Sequence, residues 1–268
     1  MTAATPAALL ELPVRRWRDG QWQQVGDCVA AEVPVALSYN SIPHVVMMAT
    51  PQDLEDLGAG FTVSEALVAS YAELREVRHE CVDGVHELRL AVDGTRLTAL
   101  LERRRNLTGR TGCGVCGAET VEDAIRHPAP VPEGGATTRE ALLAALRALR
   151  EAQPLGQQAG SLHAAAWVHW DGRLGQVRED VGRHNALDKL IGARLRAGAG
   201  FADGYVLVTS RASYEMVQKA ATLGIRMLVA VSAPTTLGVE LAQQCGLTLV
   251  GFARETQQVV YSHPQRLT

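Results

Sequence analysis

Cys113 and Cys116 stand three apart in the stretch "RRRNLTGRTGCGVCGAET", residues 103–120. Gly109, Gly112, Gly114 and Gly117 surround them, and Arg103, Arg104, Arg105 and Arg110 precede them. A thiol reacts as its thiolate, which nearby positive charge and backbone N–H groups favour. Glycines let backbone approach a bulky partner and open access to sulfur. Three chemistries suit such a pair. A structural zinc site needs two further ligands at recognisable spacing. No second CxxC exists, and His127 and His163 lack a matching pair spacing, so zinc is disfavoured and no permanently bound metal is expected. A thioredoxin-type redox pair belongs at the strand-to-helix turn of a βαβ unit, whereas this pair follows a β meander. A sulfur carrier takes a sulfane sulfur as a persulfide, by attack on sulfur as in thiol–disulfide exchange. The CxxC spacing alone does not separate the last two.

A second group of chemistry-bearing residues sits at three polar strand-to-helix junctions: "REDVGRHNALDK" (178–189), "TSRASYEMVQK" (209–219) and "SAPTTLGVE" (232–240). In open α/β sheets ligands bind beyond the carboxyl ends of the strands, and helix N-termini there receive phosphate. Ser210, Ser213, Ser232, Thr235 and Thr236 carry hydroxyls suited either to phosphate or to helix capping. Arg183, Arg211 and Lys189 can neutralise anions, and Asp180 and Asp188 could accept N–H donors from a base such as guanine. His184 by itself would more often be structural than catalytic. Three such junctions at one end of a sheet suit a large phosphorylated ligand better than a small substrate. A zinc deaminase is disfavoured: Ala165 stands where H-x-E chemistry from His163 needs its glutamate, and the CxxC lies upstream without a proline.

The elements that must position these residues follow from pattern. The 268 residues are 47% hydrophobic and 21% charged, with a formal charge of −3, which suits a soluble protein and favours neither nucleic acid nor an anionic membrane. Five cysteines, three of them isolated, do not form a disulfide framework. With no signal-peptide pattern and no long apolar run, a reducing cytoplasm is expected. Near the start, "CVAAEVPVALSYN" is β-like. "TPQDLEDLGAGFTVSEAL" predicts a helix capped by Thr50, with Pro51 first and Asp53 completing a capping box. Residues 73–104 predict a meander punctuated by Asp83-Gly84 and Asp93-Gly94, and "TVEDAIRH" a short helix. These make a smaller, mostly β N-terminal lobe with a helix, residues 1–126. A Pro/Gly-rich linker, 127–136, leads to a C-terminal α/β lobe, 137–268, whose alternating strands and helices imply a layered lobe with a largely parallel core.

Taken together, "GRTGCGVCGAE", "VREDVGRHNALDKLIG", "TSRASYEMVQKAA", "SAPTTLGVELA" and "LTLVGFAR" closely resemble the formate dehydrogenase accessory sulfurtransferase family, FdhD, and the match extends to "PQDLEDLGAGF". The resemblance implies a cytoplasmic, homodimeric sulfurtransferase whose second lobe has a three-layer, cytidine-deaminase-like α/β fold. It implies that a cysteine desulfurase supplies persulfide sulfur. The acceptor is the bis(molybdopterin guanine dinucleotide) molybdenum cofactor, before that cofactor enters the formate dehydrogenase catalytic subunit. The persulfide-bearing cysteine maps onto Cys113, and the second motif cysteine onto Cys116. A cofactor-binding segment maps onto Phe252, Ala253, Arg254, Glu255, Thr256 and Gln257, with Thr256-Gln257 where a Gly-Arg pair is usual. Asp180, Arg183, His184, Asn185, Ser210, Arg211, Ser213 and Ser232 complete the expected cofactor contacts. The rival expectation is a chaperone that binds the cofactor without transferring sulfur.

Overall fold

The structure, a computed structural model, describes residues 7–94 and 126–268. Cys113, Cys116 and residues 120–125 of the helix expected in "TVEDAIRH" lie outside the described residues, as does the last part of the expected meander.

The chain opens with a two-stranded hairpin, β1 (Leu9–Arg18) and β2 (Gln21–Ala30), paired in unbroken antiparallel register. A four-stranded sheet follows, in the order β4-β3-β6-β5, built from β3 (Val33–Tyr39), β4 (Ile42–Ala49), β5 (Leu74–Val82) and β6 (Val85–Val92). Positive φ at both Asp83 and Gly84 makes the tight turn that joins β5 to β6. The helix α1 (Leu54–Ser64) covers one face of this sheet. Leu54, Leu57 and Phe61 bury against Val35, Leu37, Leu88 and Leu90.

The second lobe holds a six-stranded sheet, ordered β12-β11-β10-β9-β7-β8. Its strands are β7 (His163–His169), β8 (Leu174–Asp180), β9 (Gly204–Val208), β10 (Met227–Ala230), β11 (Thr248–Arg254) and β12 (Gln257–Ser262). The helix α2 (Arg139–Glu151) buries Leu142, Leu146 and Leu149 against one face of the sheet. On the other face lie α3 (Arg183–Arg196), α4 (Tyr214–Thr222) and α5 (Thr236–Gln244), packed through Leu187, Leu190, Met216, Val217 and Leu241. The result is the expected layered α/β architecture with a largely parallel core. β9, β10 and β11 pair in parallel and β8 points the same way, while β7 is antiparallel to β8 and β9, and β12 to β11. Tight turns at Asp171-Gly172 and Glu255-Thr256 reverse the chain too quickly for a crossover helix.

The lobes dock through α1 and α3. A Cβ on Gly60 would lie 1.7 Å from the Asp188 carbonyl oxygen, and one on Gly192 would lie 1.9 Å from that of Asp56. Only glycine lets the two helix backbones approach so closely. The expected cap of α1 is also corrected: Asp53, in the left-handed region, precedes the helix and makes no side-chain cap. Thr50 bonds instead to the other lobe, because it leaves β4 where that lobe meets it. Its N–H donates to Asp180 at 3.1 Å, and its hydroxyl accepts from the Val181 N–H at 3.2 Å.

Candidate functional site

The three junctions do converge at one end of the six-stranded sheet. Strand β9 runs out into Ser210 and Arg211, β10 into Ser232, and β8 into Asp180 and the start of α3. Because β7 is antiparallel, its first residue, His163, pairs with Asp180 at the same end. The loops after β9 and β10 are tied together: Ala212 N–H donates to the Ala233 carbonyl at 3.2 Å, and Thr235 N–H to the Ala212 carbonyl at 3.1 Å. Phe252, held at φ 49°, donates its N–H to the Ser232 carbonyl at 3.1 Å and so joins the same rim.

On this rim the half-buried Arg183 and His184 open α3, with Ser213 and Glu215 facing them from the start of α4. The nitrogens Arg183 Nε and His184 Nε2 are buried and have no hydrogen-bond partner among the described residues. Glu215 approaches His184 Nε2 only to 3.6 Å, too far for a hydrogen bond but close enough to interact through charge. The His184 ring and the Ser213 hydroxyl, which donates to Glu215 at 2.8 Å, bring the Glu215 carboxyl down to about 2. Burial, together with the Arg183 guanidinium, lowers the His163 imidazole. Buried donors of this kind are costly unless an acceptor meets them, and a phosphate or other oxyanion would do so. Arg211 is exposed beside them.

Several expected contacts have other partners. Asp180 and Lys189 form a fully buried pair at 2.6 Å, with both side chains 0% exposed. Asp180 also accepts from Thr50 N–H, from Gly182 N–H at 2.8 Å and from Asn185 Nδ2 at 2.9 Å. Asn185 Nδ2 donates further to the Met48 carbonyl, and Lys189 to the Thr50 carbonyl. Asp188 accepts from Ser64 and from Lys219, whose ammonium also pairs with Glu65 at 2.9 Å. The carboxylates offered to guanine, and the Lys189 cation offered to an anion, are thus committed to protein groups that join the lobes. Thr235 caps α5 by accepting from Gly238 N–H, whereas Ser213 makes no side-chain cap and Ser210 donates to the Arg211 carbonyl. The segment 252–257 divides. Phe252 lies on the rim and Ala253 is buried in the core. Arg254, Thr256 and Gln257 are exposed, and Glu255 pairs with Arg150 of α2 at 2.8 Å.

Sequence reasoning did not assign His163, Glu215, Lys219 or Glu65 to this region. The only signal was that Glu215 and Lys219 fall inside the polar junction 209–219. The chain returns from the cysteine-bearing segment at Arg126, ten residues past Cys116. Its carbonyl accepts from the Tyr214 hydroxyl at 2.5 Å, and its guanidinium pairs with Glu65. That anchor lies on the first residue of α4, beside Ser213 and Glu215.

Comparison with known proteins agrees with this architecture. A family model described as the FdhD/NarQ family matches residues 30–268. A protein named sulfur carrier protein FdhD from Xanthomonas euvesicatoria pv. vesicatoria is 52% identical over 254 residues, covering 95% of this chain and 90% of that protein. Another of that name, from Cupriavidus necator, is 48% identical over 264 residues, covering 98% and 92%. A solved structure from Desulfotalea psychrophila, described as a formate dehydrogenase accessory protein, superposes with a TM-score of 0.79 at 27% identity, covering 98% of this chain and all of that one. By family match, sequence identity and fold alike, the chain belongs to the FdhD/NarQ family.

Proposed function

We propose that the protein is a sulfur carrier that serves formate dehydrogenase, and that it works as a sulfurtransferase. The Cys113 thiolate attacks the outer sulfur of a cysteine desulfurase persulfide. The donor S–S bond breaks, the desulfurase leaves as a thiolate, and Cys113 holds the sulfane sulfur. The acceptor is the bis(molybdopterin guanine dinucleotide) molybdenum cofactor, bound as substrate. Two roles are open to Cys116. It can attack the inner sulfur of the persulfide, giving a Cys113–Cys116 disulfide and releasing sulfide to molybdenum, or it can take the sulfane sulfur and pass it on. The carrying observation is the rim at the end of the sheet. There the buried nitrogens Arg183 Nε and His184 Nε2 lack a hydrogen-bond partner among the described residues and Arg211 is exposed, which supports binding of the cofactor's phosphates at this rim. Asp180 and Asp188 are left out of the proposed contacts, because their oxygens already have protein donors.

The protein acts in the cytoplasm as a homodimer. Cys28, Cys81 and Cys245 are free thiols, which suits a reducing compartment, and among the described residues no helix is long and apolar enough to cross a membrane. Leu10, Leu12, Trp17, Trp22 and Val29 are exposed on the β1–β2 hairpin. A hairpin of two strands is marginal alone, and a second copy would cover it.

The test is to incubate the full chain with a cysteine desulfurase and cysteine, then map added sulfur by peptide mass. Sulfur on the Cys113 peptide, lost in Cys113→Ala, supports the carrier. If no sulfur loads, and Cys113→Ala still matures the dehydrogenase while cofactor binds, the protein is a chaperone that only holds the cofactor.

A further inference from the structure

A thiol outside the CxxC stretch has two histidines arranged behind it. The tight turn at Asp83-Gly84 sets the β5–β6 register so that Cys81 lies opposite His86 and His79 opposite Leu88. Cys81, His86 and His79 therefore share the face of the sheet that α1 covers. Cys81 Sγ lies 3.9 Å from His86 Nε2, and His86 Nδ1 lies 2.9 Å from His79 Nε2. The two rings are parallel within 3° with centroids 5.1 Å apart, the separation of two imidazoles whose facing nitrogens share one proton edge to edge. Both nitrogens of His86 are thus used, one toward sulfur and one toward His79. The arrangement differs from a metal site, in which ligand nitrogens converge on an ion and do not bond to each other.

The residues are placed for proton transfer. His86 is fully buried, and burial, with His79 beside it, lowers its imidazole, so it is a neutral base at pH 7. His79 is only half-buried; burial lowers it too, and Glu55 of α1 offsets part of that shift. Cys81 is half-buried.

We infer that Cys81 is a second sulfur-accepting thiol, with His86 as its general base and His79 as the residue that positions and relieves His86. The inference extends the sulfur-carrier proposal to a second loading site. As Cys81 Sγ attacks the terminal sulfur of a persulfide or polysulfide, its proton passes to His86 Nε2, and the His86 Nδ1 proton passes to His79 Nε2. The donor S–S bond breaks with its electron pair on the departing sulfur, which takes up a proton. Sulfane sulfur moves between thiols, and no external oxidant or reductant is consumed.

Cys28 is the internal control: it is also half-buried, lies opposite Glu11 in the β1–β2 hairpin, and makes no hydrogen bond to a histidine among the described residues. The probe is inorganic polysulfide, added to the full-length wild type and to the Cys113→Ala/Cys116→Ala protein. Cleavage after Arg78 and Arg89 isolates Cys81 on its own peptide. In the double variant the Cys81 peptide should gain sulfur at least about tenfold faster than the Cys28 peptide, a threshold set below the roughly hundredfold or more that a positioned base supplies. His86→Asn and His79→Leu should remove that advantage. His79→Gln, which keeps an acceptor for His86 Nδ1–H but cannot take its proton, should restore part of it, the share due to positioning; a role in packing alone would not distinguish Gln from Leu. If buried His86 cannot be replaced without unfolding, the two His79 variants decide. The inference is overturned if Cys81 loads at the Cys28 rate, or if its rate ignores every folded histidine variant. Loading of Cys113 is read from a different peptide of the wild type, so failure of the carrier proposal is seen separately.

Discussion

Asp180→Ala is expected to destabilise the protein severely, before any ligand is considered. The substitution removes the carboxylate paired with the Lys189 ammonium, which is 0% exposed, and strands the Thr50 N–H, the Gly182 N–H and one Asn185 donor. Breaking a buried pair by removing one partner costs about 3–5 kcal/mol. For a chain of this size that corresponds to a fall in Tm of roughly 6–20 °C. Differential scanning calorimetry or urea unfolding would measure it. Two further readouts identify the cause. Lys189→Met, alone and combined with Asp180→Ala, completes a double-mutant cycle. The double variant should cost clearly less than the sum of the singles, because it leaves no unpaired charge. The pH dependence has a fixed sign. Burial lowers Lys189, so in Asp180→Ala the unfolded chain binds more protons than the folded one above neutral pH. The variant should therefore regain stability as pH rises from 7 toward 10. Asp180→Ala within about 1 kcal/mol of wild type, well below the cost of a broken buried pair, would refute the reasoning. So would additive costs in the cycle.

Other perturbations probe separate parts of the molecule. Gly60→Ala or Gly192→Ala places a Cβ inside a backbone carbonyl, and should cost at least the 1–3 kcal/mol usual for overpacking, read as a lower Tm. Arg183→Ala and Arg211→Ala should each weaken guanosine diphosphate binding about tenfold in calorimetry, the scale of one charged hydrogen bond, with Tm little changed. Unchanged affinity in both would move the ligand elsewhere. Glu215, at about 2, lies below its ordinary value of 4.5. Its stabilising contribution should be complete above about pH 5 and fade as pH falls toward 2. The stability gap between wild type and Glu215→Gln should shrink accordingly in acid unfolding. Trp17→Ser/Trp22→Ser should shift a homodimer toward monomer in light scattering, and no shift would remove the hairpin from the interface.

The second lobe was legible because its strands and helices alternate and each carries its own period. "GYVLV", "MLVA" and the "LVGFA" within "TLVGFAR" are apolar runs, and all three form central strands. Sheet direction was less legible, since it depends on turns of two residues. The N-terminal hairpin carried a usable signal in Asp19-Gly20 between Trp17 and Trp22, where both turn residues have positive φ. The polar junctions were found, but the destination of each side chain was not. Arg183, His184 and Asp180 lie within five residues of one another, yet two face the rim and the third faces Thr50, 130 positions earlier. Whether a buried carboxylate meets a ligand or another lobe is decided by long-range packing, which local pattern does not encode. The same holds for Lys219, joined to Asp188 and Glu65, and for Gly60 against α3. Cys113 and Cys116 were legible only by chemistry and resemblance, and they lie outside the described residues.

The central claim is that sulfur passes through Cys113 to the molybdenum cofactor. The most direct test loads the protein with isotopically labelled sulfur from cysteine and a desulfurase, removes the donor, and adds the bis(molybdopterin guanine dinucleotide) cofactor. Mass spectrometry then follows the label. It should leave the Cys113 peptide, appear on the cofactor and accompany activation of formate dehydrogenase, with none of the three in Cys113→Ala. Label that stays on Cys113 while the dehydrogenase becomes active would contradict the claim.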